Sequence, residues 1–486
     1  MFGVARSTAS SLFASGLFRS GLFASGSNTA ERAGADSGLL SPASSYYRSP
    51  SVTTLASSLD AALIAVVCYV ITIKIWETSH LYAFILIASV VYAGAGVIVR
   101  TSRQPTVGLS LMDIGLFAVV VVEAISYAES SYRPNSLLSL GEVSFLFLFY
   151  CLVRSGMHAD FQRVAIFGFL SLLGFWISSR ALYSFYLHYR RLSALGFTDL
   201  TNFKHLFGMV GPDGYSTGER ITTLLLLLPF PLMLVFRFRK HRARWLLAVP
   251  VITMVAALCM TFSRGIYVSI GAFAVVADVM FWRFRLMRSK TIFIWNAIVL
   301  STVLIVLAPV AKSVLKTAAV VSTQSQVRSI EGRVDIWRQS IELARRHPLY
   351  GFGAYNFPMR YASYSEEHPS FVTGSYDYFL QILLERGILG LTAYLAVFLV
   401  FFWFCYRTSK QRDMGELQAA IVILSAAGCI AALVRDITFS SMLINKGAAV
   451  LMWFSFANAI NATTGRRTVA GSIRAPARTV SWSGAE

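Results

Sequence analysis

Apolar positions fill this chain in long runs, and short polar segments separate one run from the next. Many runs approach the length that an α-helix needs to cross the hydrocarbon core of a bilayer, where all backbone hydrogen bonds must be satisfied internally. The pattern predicts an all-α, polytopic membrane protein with about twelve transmembrane helices. The predicted spans are 59–76, 80–99, 108–126, 137–154, 161–186, 219–236, 244–262, 265–282, 291–309, 377–406, 415–434 and 440–460.

The distribution of charge gives these spans a predicted orientation. Hydrophobic residues make up 56% of the chain, and the formal net charge is +19. A soluble protein this basic would suggest nucleic acid, but here the basic residues cluster in short loops, as the positive-inside rule requires. We therefore expect no nucleic-acid partner. The basic segments are 100–104, 237–244, 283–290, 407–412 and the tail 466–478, and all fall on the side predicted to be cytoplasmic.

The chain divides into three predicted regions. Residues 1–58 are rich in Ser, Ala and Gly, with apolar stretches too short for a signal-peptide core, so they predict a disordered cytoplasmic tail; a weak amphipathic membrane contact is the alternative. Residues 59–460 form the membrane domain, and 461–486 form a basic cytoplasmic tail. The five cysteines lie inside apolar runs without disulfide or metal spacing, so they are interpreted as small buried hydrophobes.

One polar, arginine-rich segment, 328–390, stands out in this apolar sequence. Most of it belongs to a large loop, 310–376, which the alternation of spans places on the extracytoplasmic face; we call this loop the island. A fixed group of guanidiniums beside a bilayer suits a phosphorylated lipid, because the planar fork binds phosphate bidentately. The arginines are Arg328, Arg333, Arg338, Arg345, Arg346 and Arg360.

Within the island, apolar residues recur at helical spacing and charged residues face the other way. The apolar set is Val334, Trp337, Ile341 and Ala344, and the charged set is Arg338, Glu342 and Arg345. This predicts an amphipathic helix on the outer membrane surface that ends before Pro348; a lid with solvated charges is the alternative. Gly351-Phe352-Gly353 then predicts a tight turn close to a neighbour or ligand.

Several motifs follow one another in a recognisable order. Ser263-Arg264-Gly265 joins two spans, GRVDIWRQSIELARRHPLYGFGAYNF follows a further basic loop and span, and YDYFLQILLERGILG enters the next span. In this order they resemble the O-antigen ligase and polymerase family of bacterial envelope enzymes, over roughly residues 220–460. The most specific part is Arg333-x-x-x-Trp337 followed by the Pro-x-x-Gly-x-Gly-x-x-x-Phe pattern from Pro348 to Phe357.

The resemblance implies glycan transfer on the periplasmic face of the inner membrane, with both termini cytoplasmic. The donor would be a saccharide on undecaprenyl pyrophosphate. A polymerase would move it to another lipid-linked repeat, and a ligase to lipid A–core. Because the donor is already activated, the resemblance implies neither a cofactor nor a metal. A flippase and a chain-length regulator are further partners that it suggests.

The resemblance also directs attention to particular side chains. Arg264 is the first choice for a phosphate contact, because an arginine in a short turn at the membrane edge is costly unless it is used. Arg220 and Arg333 come next, although each could be a snorkelling or loop-pairing residue. Trp337, Arg338, Gly351 and Gly353 complete the predicted substrate-binding set.

At one place the sequence departs from the family. Ligases carry His and then Asn, Ser or Gln, followed by nine residues and then Gly-x-x-Gly. Gly387 and Gly390 match that pattern, but Tyr376 and Asp377 occupy the earlier positions. The missing His favours a polymerase. Asp377, Tyr376 and the upstream His368 are the catalytic candidates, with Asp377 either the base or a cap of the following helix.

A secondary transporter is the alternative from another class. Ionisable residues in or beside predicted spans could couple ion movement. They are Asp113, Glu142, Arg180, Asp278 and Lys446. Against this interpretation, the sequence shows no repeat relating two halves, and its one large loop lies between the ninth and tenth spans.

Overall fold

The computed structural model describes residues 60–69, 109–157, 160–194, 217–242, 244–261, 263–286, 296–297, 301, 322–364, 374–411, 414–437 and 446–473. These residues form helices and connections, without any strand. The helices are α1 Asp60–Tyr69, α2 Leu111–Ala128, α3 Arg133–Gly156, α4 Asp160–Ala194, α5 Thr217–Leu227, α6 Pro229–Arg237, α7 Arg244–Cys259, α8 Arg264–Arg283, α9 Ser322–Arg346, α10 Phe357–Tyr364, α11 Tyr378–Thr408, α12 Glu416–Asp436 and α13 Lys446–Ile473.

The all-helical, membrane-spanning class is confirmed within the described ranges. Helices α2, α3, α4, α8, α11 and α12 are each long and apolar enough to cross a bilayer. Two predicted spans, 80–99 and 291–309, lie almost wholly outside the described residues, and so does the second half of span 59–76. The total of about twelve therefore stays a prediction. The tail 1–58 also lies outside the described residues.

Two predicted spans have different bounds in the structure. The predicted span 219–236 consists of two helices. The first helix ends before Leu228, and α6 starts on Pro229, with Pro231 two residues later. Proline suits the first turn of a helix, where its missing N–H would have no partner anyway. The last helix, α13, continues to Ile473, beyond residue 460, where the sequence placed the end of the membrane domain.

Helix α12 lies at the centre of the packing. Helix α8 packs along it, and α13, α6 and α5 contact its other faces. Its middle is buried on all sides, from Ala419 to Cys429, as expected of a helix that is apolar all round. Around this centre, α2 packs against α3 and α11, α3 against α13, and α4 against α7.

The described helices have two chemically different ends. Phe236 stacks on Phe281 with 4.5 Å between ring centroids, and Arg239 forms an ion pair with Glu416. These contacts bring the end of α6, the end of α8 and the start of α12 together at what we call the basic end. A cavity of about 360 Å³ there is lined by Asp160, Arg237 and the start of α12.

The island lies against the opposite end of the helices. The loop between α2 and α3 contacts it, since the Ser131 N–H donates to the Phe352 carbonyl at 3.3 Å. We call this the island end. The described loops lie at these two ends as the charge pattern predicts. The assignment of the island end to the periplasm remains a prediction.

Candidate functional site at the island end

The motif segment 348–353 is inserted into the hydrogen-bond ladder of α11. Gly387 has φ 65° and ψ −166°, which interrupts the helix. The carbonyls of Leu384 and Glu385 therefore accept from Phe352 N (3.2 Å) and Gly353 N (3.0 Å) instead of the next helical turn. In return, Ile388 N donates to Pro348 O at 2.9 Å and Leu389 N to Leu349 O at 3.4 Å. The kink thus leaves none of these four groups unsatisfied, which a membrane interior requires.

Three glycines make this insertion possible. Gly351 (φ 69°) and Gly387 (φ 65°) adopt left-handed conformations. Gly351 lies directly against the backbone of α11, and Gly387 lies directly against the backbone of the inserted segment. A Cβ on Gly351 would overlap the Glu385 carbonyl, and one on Gly387 would overlap the Leu349 carbonyl. Gly390 has no such φ, but a Cβ there would collide with the Arg386 side chain. The predicted close turn at 351–353 is confirmed, and it contacts the helix.

Hydrogen bonds also tie the residues that follow this segment to the loop between α2 and α3 and to the first turn of α3. Asn356 Nδ2 donates to Ser130 Oγ at 2.9 Å, and Ser136 Oγ donates to the Ala354 carbonyl at 3.0 Å. Gly353 packs so closely on Ser130 that a Cβ would overlap its hydroxyl. The segment is therefore held from two sides.

The amphipathic helix predicted in the island is α9, and it ends at Arg346, before Pro348. Its predicted apolar face is wrong in part, because Val334 and Ile341 are exposed. The buried face includes Ser340, Leu343 and Ala344, and it packs through a small core on the first turns of α11. Docking on α11 rotates the helix away from the stripe that the sequence suggested. The charged face is as predicted, with Arg338, Glu342 and Arg345 exposed.

The turn before α11 brings several predicted site residues together. Tyr376 has φ 57°, a strained conformation for a bulky residue and one that clusters at functional sites. The preceding residue, Ser375, is fully buried. Its carbonyl accepts from Trp337 Nε1 at 2.9 Å, and its N–H donates to Gln381 Oε1 at 2.7 Å. The strained turn is thus fixed by side chains of both α9 and α11.

Asp377 caps α11, one of the two roles that the sequence left open. Its carboxylate accepts from Leu380 N at 2.7 Å. Burial raises the pKa of this carboxyl, and hydrogen bonds from the Leu380 and Phe379 N–H groups oppose that shift. The cap does not use every lone pair of the carboxylate, so a proton-accepting role is chemically compatible with it.

One arginine lies against this turn, and a second, from another element, interacts electrostatically with it. The Arg333 guanidinium lies over the Tyr376 ring, 5.6 Å from its centroid. Arg435, in the last turn of α12, is buried and lies close enough to Arg333 for the two charges to interact. The buried Asp436 carboxylate is adjacent. Sequence reasoning missed Arg435, because it follows directly on an apolar run; an Arg-Asp pair at the edge of a span was the available signal.

The other predicted site residues are placed less completely. Arg264 is the first residue of α8 and Arg220 lies in α5, while His368 lies outside the described residues. The contacts that place the end of α8 at the basic end also put Arg264, at its start, toward the island end. Arg338 is exposed and pairs loosely with Asp335 at 4.0 Å. Gly351 and Gly353 serve the backbone insertion.

Four of the five ionisable residues behind the transporter alternative have identified structural partners. Glu142 pairs with Lys446 and accepts from the Tyr355 hydroxyl at 2.5 Å. Burial and this carboxylate raise the pKa of Tyr355 well above its ordinary value. Asp113 accepts from Tyr150, and Asp278 accepts from Asn296 at 2.6 Å. Among the described residues, no group of three or more His, Cys, Asp or Glu is placed to hold a metal ion.

Comparison with known proteins supports the resemblance seen in the sequence. Residues 249–395 match the family model described as O-Antigen ligase. None of the curated proteins matches the chain. The matched range holds the start of α8, the island with its inserted segment, and α11 through the kink and Gly390. It therefore contains Arg264, Arg333 and the strained turn, while Arg435 lies beyond it. Segment 249–395 is thus similar to the O-antigen ligase family, which supports a membrane ligase or polymerase role in envelope polysaccharide.

Proposed function

We propose that this protein polymerises a surface polysaccharide at the island end, by transferring a saccharide from undecaprenyl pyrophosphate to a hydroxyl of an acceptor glycan. The observation that carries the proposal is the Arg333 guanidinium over the strained Tyr376 within the family segment, with the buried Arg435 near enough for its charge to act on Arg333. Two guanidiniums held near each other repel, and a bound anion would relieve that repulsion. A pyrophosphate has the negative charge and the paired oxygens that the planar guanidinium fork binds bidentately.

The reaction needs a leaving group, a nucleophile and a proton acceptor. The acceptor hydroxyl oxygen bonds to the anomeric carbon of the donor as the bond from that carbon to the pyrophosphate oxygen breaks. Negative charge develops on the departing pyrophosphate, where Arg333, Arg435 and Arg264 stabilise it more in the transition state than in the ground state. The hydroxyl proton passes to a base.

Asp377 is the proposed base, with His368 the second choice. At neutral pH an aspartate is available in its ionised form, whereas a tyrosine with an ordinary pKa near 10 is a poor base. Tyr376 has the role of a neighbour that orients Arg333 through its ring. Arg220, Trp337 and Arg338 would contact parts of the donor further from the reacting bond.

A reconstitution experiment tests the proposal against its alternatives. The purified protein in liposomes receives an undecaprenyl pyrophosphate-linked repeat unit, and the products are separated on a polysaccharide gel. A ladder of lengthening chains is the expected result. Transfer of a single glycan, and only when lipid A–core is supplied, would instead identify a ligase. Absence of both products, together with accumulation of a soluble solute in a deletion strain, would replace the proposal with transport.

A further inference from the structure

A chain of buried polar groups runs from the candidate site into the middle of the membrane helices. It starts at Ser375, whose N–H donates to Gln381 Oε1, and Gln381 Nε2 donates to Glu385 Oε1 at 2.6 Å. Glu385 accepts from Arg386 at 3.1 Å, and Arg386 pairs with Glu123 of α2. All five of these side chains are at least 95% buried.

This chain is hard to explain as a source of stability. A buried ion pair loses its hydration, and well-packed apolar residues of the same volume are commonly as stable or more so. The cost is larger within a membrane, where ionisable residues mark functional sites by default. Glu123 and Glu385 are also two carboxylates that share one guanidinium, so the set requires further donors. Ser139 and Tyr394 supply them to Glu123, at 3.2 and 3.1 Å.

The outer end of the chain shows what it positions. The Ser375 backbone makes two hydrogen bonds with side chains. Its carbonyl accepts from Trp337, and its N–H donates to Gln381. Its hydroxyl donates to the Asp377 carbonyl at 2.8 Å. These bonds bracket Tyr376, which alone in the turn has a positive φ and whose ring lies against Arg333.

We infer that Gln381 and Glu385 are positioning residues, which act through Ser375 to hold Tyr376 in its strained conformation and so to aim Arg333 at the phosphate. Gln381 acts directly on Ser375, and Glu385 orients the Gln381 amide so that its oxygen faces the turn. The Arg386–Glu123 pair fixes Glu385 in turn. This inference rests on the proposed function for its catalytic consequence, but not for its structural one.

The test replaces Gln381 with Met, which keeps the side-chain length and removes both hydrogen bonds. Gln418→Met is the matched control, since Gln418 also accepts from a backbone N–H at a helix start, that of Gly415, but at the basic end. With the reconstituted protein and the lipid-linked repeat, Gln381→Met should lower kcat by about 10- to 100-fold with KM changed less than about 3-fold, while Gln418→Met stays within about 2-fold of wild type.

A double-mutant cycle separates positioning from general damage. Trp337→Phe keeps an aromatic ring, although a smaller one, and loses the bond to the Ser375 carbonyl. If both side chains act through Ser375, adding Trp337→Phe to Gln381→Met should cost less than Trp337→Phe costs alone. Trp337→Phe combined with Gln418→Met should be additive. Independent, multiplying effects of Gln381→Met and Trp337→Phe would overturn the inference.

Hydrogen exchange gives a readout that needs no activity. The Ser375 amide should be protected in wild type and exchange at least about 10-fold faster in Gln381→Met, with residues 416–420 unchanged. Wild-type exchange at Ser375 in that variant would overturn the inference even if activity is lost. If wild type makes no product but exchange responds as expected, the proposed function fails and the positioning role stands. If Gln381→Met does not fold, Trp337→Phe alone should still accelerate exchange in the segment 374–378.

Discussion

The two ends of the molecule use arginine in opposite ways. At the basic end, Arg237, Arg239 and Arg244 are exposed, and their partners are surface groups such as the Trp245 ring, 4.9 Å from Arg244, or the exposed Glu416. At the island end, Arg333 and Arg435 are partly or fully buried; Arg333 lies against a strained backbone, and the charge of Arg435 acts on it. Both ends are rich in arginine, yet the island end has the arrangement that suits a ligand.

We infer from this difference that burial and backbone strain, rather than the number of charges, distinguish the candidate site. Exposed cations at the ends of membrane helices set topology, and their individual ion pairs contribute little to stability. Cations held in a partly buried place must be compensated, and compensation by a substrate is chemically useful. The predictions below test whether the two ends really differ in this way.

The largest effect is expected at the kink of α11. In Gly387→Ala, the new Cβ would overlap the Leu349 carbonyl and strain a left-handed residue, so we expect a loss of at least about 3 kcal/mol of stability and little folded protein. Gly271→Ala in α8 is the control, because no neighbouring atom lies within 4 Å of its added Cβ. Unfolding midpoints in detergent measure both. Equal stability of the two variants would mean that the inserted segment is not a fixed part of the fold.

A smaller but still large effect is expected from Arg333. Arg333→Ala should lower transfer by about 10- to 100-fold at normal abundance, as expected for the loss of one charge-assisted contact worth about 1.5–3 kcal/mol. Arg264→Ala should act in the same direction, and Arg333→Lys should restore part of the rate, because lysine lacks the bidentate fork. Arg239→Ala at the basic end is the matched control and should transfer glycan normally. If Arg333→Ala and Arg239→Ala behave alike, the contrast between the ends is wrong.

The proposed base predicts a pH effect with a definite sign. Asp377 must be ionised to accept a proton, so the rate should fall as the pH drops through its raised pKa. Asn caps a helix about as well as Asp, so Asp377→Asn should abolish transfer and leave α11 intact. Because the pKa of Asp377 is raised in the folded protein, its carboxyl contributes to stability at low pH and loses that contribution as the pH rises through this pKa. Asp377→Asn should remove this dependence of stability on pH.

Companion variants assign the proton acceptor among the three candidates. Tyr376→Phe should only weaken transfer, because it keeps the ring that contacts Arg333, and Tyr376→His should be tolerated. His368→Ala should abolish transfer only if Asp377→Asn does not. Wild-type chain lengths on a polysaccharide gel in both Asp377→Asn and His368→Ala would exclude both residues as the base.

The smallest effect on activity is expected from cysteines that report topology. Ser329→Cys and Ser365→Cys in the island should react with an impermeant thiol reagent in intact spheroplasts. Gln411→Cys, in an exposed loop that the charge pattern places in the cytoplasm, should react only after lysis. All three should transfer glycan normally, and the unmodified protein gives the background from its own cysteines. The reverse labelling pattern would put the island in the cytoplasm and contradict the periplasmic reaction.

Much of the fold could be predicted from the sequence because apolar length and basic loops are local signals. Helices α2, α3 and α12 begin and end within a few residues of their predicted spans. The buried face of α9 could not be predicted, because it includes the polar Ser340. Docking on α11 decides how the helix is rotated about its axis. The periodicity of apolar side chains indicates which face of a helix is apolar, but it does not indicate which neighbouring element covers that face.

The site was predicted only in part for a similar reason. The Gly-x-Gly at 351–353 and the Gly-x-x-Gly at 387–390 were visible as separate motifs, but their pairing is a contact between distant segments, which no local pattern records. Arg435 comes from an element that the motifs do not include. Asp377 shows the remaining difficulty, since the same residue type at a helix start serves as cap or base, and only its surroundings and chemistry can tell them apart.

The exchange of hydrogen bonds at the kink limits how the two segments can change in sequence and how chimeras can be built. Helix α11 cannot complete its own ladder without segment 348–353, and that segment loses four backbone hydrogen bonds without the turn 384–389. Neither half can change its length or register alone without leaving polar groups unsatisfied. A chimera that takes its island from a relative should therefore carry both halves from the same parent, with the natural boundary of the graft lying beyond Gly390.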